Sequence, residues 1–135
     1  MGLLNKLYLF SEVNGVVLLD GKPVQGVEVV QTYFWHWGDK KGKTVAQSDA
    51  LGRFHFPLIT DTSLTAVLLP HEPVIEQTIN LYYQGREIRG WFHANHNYEP
   101  LAETGTPLDL VCELNNAPAA HPDIRSYGMC TLKKR

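Results

Sequence analysis

The sequence predicts an all-β fold: an antiparallel two-sheet β-sandwich of about seven short strands with an irregular C-terminal arm. Three observations carry that prediction. Eleven Gly and eight Pro are spread along the 135 residues and punctuate them with turns. Between the turns lie short runs rich in β-branched and aromatic residues, several of them alternating polar and apolar. Hydrophobic residues make up 44% and charged residues 19%, the balance of a chain that buries a core. The length suits one domain spanning 1–135, with its core in 13–114 and the arm in 115–135.

Taken in order, residues 13–19 are almost wholly apolar and stop at Asp20-Gly21-Lys22-Pro23, a strand followed by a hairpin turn. Residues 27–37 form a longer strand on which Val27, Val29, Tyr33, Trp35 and Trp37 share one parity, while Val30, Phe34 and His36 share the other. Neither face is cleanly polar, so this strand is either central or covered by another segment. The charged turn 38–43 returns the chain antiparallel over 44–48. After a second turn, Arg53-Phe54-His55-Phe56 places its two Phe inward.

The apolar stretch 63–69 is too short to assign by period and is strand or short helical turn. Residues 74–83 give the clearest strand pattern, with Ile75, Ile79, Leu81 and Tyr83 on one face and Gln77 breaking the apolar run. Gln84-Gly85 makes a hairpin into 87–93, and 94–105 reads as a long loop. The final strand is 107–114, with Leu108, Leu110, Cys112 and Leu114 inward. From Asn116 onward no period is visible.

A net charge of −2 disfavours nucleic acid and anionic membranes as partners. No stretch approaches the roughly 20 apolar residues of a membrane span, and 7–10 is too short for a signal-peptide core. The expectation is a soluble protein, cytoplasmic by default, taking Met1 as the natural start. Cys112 and Cys130 are either a disulfide tying the arm to the last strand or two separate thiols.

Three elements in succession carry a resemblance: Gly15-Val16-Val17 up to the Asp20-Gly21-Lys22-Pro23 turn, Gly26-Val27-Glu28-Val29 opening the next strand, and Asp49-Ala50-Leu51-Gly52-Arg53-Phe54-His55-Phe56. In this order they resemble the carboxypeptidase regulatory-like, or transthyretin-like, β-sandwich modules, over about a third of the chain. The rest resembles small bacterial single-domain proteins of the same fold. The resemblance implies a sandwich and says little about function, since such modules serve as supports, adhesive domains and partner-binding units. Two related enzyme families do not fit. The hydroxyisourate hydrolases end in Tyr-Arg-Gly-Ser, which Thr131-Leu132-Lys133-Lys134-Arg135 does not match, and the intradiol dioxygenases need His-x-His, whereas His93 and His96 have two residues between them.

No nucleophile elbow, phosphate loop or dinucleotide fingerprint occurs, so an enzyme is not expected and no cofactor is assigned. The leading expectation is a non-catalytic sandwich that binds another protein, such as an accessory, adaptor or toxin-immunity protein of a bacterial secretion system. Its candidate contact residues are Trp35 and Trp37 at the aromatic strand end, and Arg86, Arg89 and Trp91 on the hairpin. A metal-binding or metal-dependent alternative uses His93, His96 and Glu99, imidazoles and a carboxylate close together in one loop. A structural alternative is a homodimer joined through a sheet edge.

Overall fold

A computed structural model describes residues 6–133. The assumed start at Met1 and the last two residues of the 115–135 arm lie outside them. The strands are β1 (Leu7–Phe10), β2 (Val13–Leu19), β3 (Lys22–Pro23), β4 (Glu28–Trp35), β5 (Lys40–Gln47), β6 (Arg53–Phe56) and β7 (Ile59–Asp61). After the short helix α1 (Leu64–Leu68) come β8 (Ile75–Tyr83), β9 (Arg86–Asn95), β10 (Leu108–Glu113), β11 (Ala119–His121), β12 (Ser126–Gly128) and β13 (Cys130–Leu132). Among the described residues no helix is long and apolar enough to cross a membrane.

Two sheets face each other as a β-sandwich. One has the order β11-β12-β9-β8-β4-β5; in the other, β13-β10-β2-β3 lie in order and β6 also pairs with β2. Inward residues of both sheets make one core, in which Val17, Phe56 and Leu110 meet Val29, Ile79 and Trp91. A smaller cluster at one end holds Leu7, Leu9, Trp35, Ala66 and Ile75 beside the two-stranded β1-β7 sheet. The alternation of β6 and of β8 is as the sequence predicts, with Phe54 and Phe56 buried and Ile75, Ile79 and Leu81 inward.

Gly15 lets the first of these strands approach its neighbour, because a Cβ there would overlap the Phe54 ring. Asp49 organises the turn into β6 by accepting from the backbone N–H of Leu51 and Arg53 at 2.9 and 2.8 Å. The Arg53 N–H is the main cause that holds its carboxyl below the usual value. Gly52 takes the positive φ that this turn needs. At the outer edge of the larger sheet, β5 carries Lys40, Lys41 and Lys43, charges that oppose edge-to-edge pairing.

Several expectations need correction. The smaller main sheet is mixed, since β2 and β10 run parallel from Val13–Leu108 to Leu18–Glu113. No turn joins these distant segments, so nothing local dictates their direction. The arm is not irregular: β12 pairs with β9 in one sheet and β13 with β10 in the other, so Met129 between them is buried where the chain crosses. Cys112 and Cys130 face each other in that ladder and are joined as a disulfide. β9 runs to Asn95, into what reads as loop in the sequence. The ambiguous 63–69 stretch is helical at α1, started by the Ser63 side chain, which accepts from the Ala66 N–H at 3.1 Å.

The interior of the larger sheet carries a row of polar side chains. Gln77 is fully buried, donating to the Leu9 carbonyl at 3.0 Å and to Glu103 at 2.7 Å, while the Trp91 indole donates to its amide oxygen at 3.4 Å. Glu103, itself buried, also accepts from the Ser11 amide at 2.9 Å and the Ser11 hydroxyl at 2.6 Å. This network pins the 96–107 connection and the N-terminal strand to the sheet.

Candidate functional site

The expected contact residues fall into two groups. Trp35 and Trp91 are 3% and 1% exposed, so both indoles belong to the core and neither presents a face to a partner. Arg86 and Arg89 are exposed on β9, where Arg89 sits over Phe92 and donates to Asn80 at 2.9 Å, a cross-strand arrangement on the outer sheet face. Trp37 lies beyond the end of β4 and is exposed.

The His-rich loop does not gather ligands. His93 is buried, and its Nδ1 donates to the Arg125 carbonyl at 2.9 Å, while its Nε2 is enclosed without a hydrogen-bond partner. His96 and Glu99 are exposed, with His96 4.0 Å from Glu72. Among the described residues no group of three or more His, Cys, Asp or Glu is arranged to hold a metal ion.

Around Trp37 the structure brings together residues that the sequence keeps far apart. The indole stacks on His71 at 4.0 Å and its Nε1 donates to Thr65 of α1 at 3.2 Å. His71 Nδ1 lies 2.9 Å from the Leu69 carbonyl, which can only accept, so the proton is on Nδ1. Nε2 then accepts from the Tyr98 hydroxyl at 2.7 Å, and that hydroxyl accepts in turn from Trp35 Nε1 at 3.0 Å. A directed chain of hydrogen bonds therefore runs from the core to the turn after α1. Burial lifts the Tyr98 phenol above its usual value, which keeps the proton it donates.

Before the helix, the Lys40–Asp61 ion pair at 2.7 Å joins β5 to β7. It raises the Lys40 ammonium and lowers the Asp61 carboxyl, each chiefly through their mutual hydrogen bond. With both ends fixed in this way, α1 buries only Ala66. Leu64, Val67, Leu68 and Leu69 point outward at 46%, 38%, 54% and 50% exposure beside Trp37. In the sequence this stretch reads as strand or short helical turn, and the signal for it is an apolar run enclosed by Ser63 and Pro70.

Tyr98→Phe tests the chain of hydrogen bonds. It strands the Trp35 N–H in a buried setting, so it is expected to cost about 1–3 kcal/mol in denaturant unfolding. Exchange of the α1 amides should rise at the same time. A neutral result would mean that the phenol does not hold this end together.

A family model described as a Domain of unknown function (DUF6795) matches residues 13–117, from the start of β2 to just before the arm strands. No curated protein and no solved structure matches the chain. Spanning most of the sandwich, that match places the chain in the DUF6795 family.

Proposed function

We propose that the chain is a non-catalytic protein-binding module whose contact surface is α1 together with Trp37. The observation that carries this reading is an apolar helix face turned to solvent and held there by hydrogen bonds at both ends, Ser63 before it and His71 on the Leu69 carbonyl after it. A helix present only to cover the core would bury its aliphatic side chains, because each one buried contributes about 1.5–3 kcal/mol. Here Leu64, Val67 and Leu68 stay exposed, with Leu69 following the helix, an apolar patch next to Trp37, a residue type enriched at interface centres. An accessory, adaptor or immunity role would use this surface in the same way.

The test is co-purification from the native organism, followed by cross-link mapping, with a Leu64→Ser/Leu68→Ser double variant alongside. Both side chains are exposed, so the variant should unfold within about 1 kcal/mol of the parent. A near-stoichiometric partner that cross-links to 64–69 and binds the variant at least about tenfold more weakly is the expected result. Undiminished binding by the variant, or recovery of no specific partner, would reject this surface.

A further inference from the structure

The arm seals the core with very little pairing of its own. β12 meets β9 at one residue pair, Tyr127 with Phe92, and β13 meets β10 at three, as the outermost strand of its sheet. It approaches through the exposed residues 115–118, so it could leave as a unit without disturbing the pairing of β2, β4, β8, β9 or β10 with one another. What it covers is central: Met129 is 1% exposed, and the Met129 N–H donates to the Arg89 carbonyl at 3.0 Å. The Cys112–Cys130 bond closes a sequence separation of 18 that takes in most of the arm.

We infer that the arm is a redox-gated strap, closed while Cys112 and Cys130 are joined and released when a dithiol reductant opens the bond. In that exchange a reductant thiolate attacks one sulfur, forms a mixed disulfide and expels the other cysteine as a thiolate, which takes up a proton. The second reductant thiol, giving up its proton, then displaces the remaining cysteine, which is protonated in turn. The reductant leaves as a disulfide, and the protein has gained two electrons and two protons. Both sulfurs are buried, so attack has to wait for fraying of the outermost strand, β13. Release frees the outer edges of β9 and β10 as unpaired strand edges, able to accept another strand. The gate also links state to compartment, since such bonds persist where conditions are oxidising and are reduced in the cytosol. A closed strap therefore belongs to an oxidising compartment, unlike the cytoplasmic default.

Hydrogen exchange read by mass spectrometry on the full chain, with and without dithiothreitol, tests this, using thiol alkylation to confirm reduction. Amides of 119–132 and of the facing edges of β9 and β10 are expected to exchange about tenfold faster or more in the thiol form. The centres of β4 and β8 should be unchanged, and reoxidation should restore the original pattern. A Cys112→Ser/Cys130→Ser variant should show the open pattern without reductant. Three results would overturn the gate: a bond that dithiothreitol cannot open in the folded chain, an arm equally protected as thiols, or equal acceleration across both sheets. A double variant that fails to fold would also overturn it, because the arm would then be part of the minimal core.

Discussion

Glu103→Ala is expected to lower stability by about 3 kcal/mol or more, because three donors lose their acceptor at once in a buried setting. The Ser11 amide, the Ser11 hydroxyl and the Gln77 amide all point at this one carboxylate. For a chain of this size the thermal midpoint should fall by about 10 °C. Glu103→Gln provides the contrast. Its oxygen can accept from the Ser11 amide and Gln77, while its NH2 donates to the Ser11 hydroxyl, which is able to turn and accept. The network is then kept without a charge, and the loss should shrink to about 1 kcal/mol. Thermal unfolding of the two variants side by side decides the matter. Equal losses would mean that the negative charge, and not the pattern of acceptors, holds the N-terminal strand in place.

A loss of similar size is expected from Gly128→Ala, through a different cause. Gly128 has a φ of 153°, and an added Cβ would overlap the Gly90 carbonyl and crowd the Trp91 amide. Both obstacles are backbone in the middle of β9, so no rotamer change relieves them. The arm has to lift, and Met129 and Cys130 lose burial with it. We expect about 3 kcal/mol or more in denaturant unfolding, together with faster proteolysis within 115–133 than in the parent. Gly85→Asn is the control. Gly85 also has a positive φ, but nothing lies near its Cβ position, so the change should cost no more than about 1 kcal/mol.

Where strands carry a clean alternation, the fold could be read from the residues. In β6 and β8 the inward side chains follow from period alone, and the turn residues Asp49, Gly52 and Gly85 act as their chemistry suggests. Gln77 looked like a flaw in the pattern because its partners, Glu103 and Trp91, are remote in sequence. β11, β12 and β13 have three residues each, too few to show a period. Their identity comes from the sheets they join. The candidate site was legible only in pieces. Trp37 stood out as an aromatic residue, but its exposure depends on β4 ending at Trp35, and its neighbours His71 and Thr65 arrive from beyond the next sheet crossing. Trp35 and Trp91 could not be told from Trp37 by composition, since burial is decided by what lies across from each.

The parallel pairing of β2 with β10 also orders events during synthesis. β2 is made well before its parallel partner, residues 108–113. Until then β2 is paired only with the antiparallel strands β3 and β6, and its edge toward β10 stays open. Closing so wide a separation in sequence is the step that local turns cannot speed. The nascent chain therefore carries a half-built sheet until that partner emerges, and protecting its open edge falls to whatever meets the emerging polypeptide.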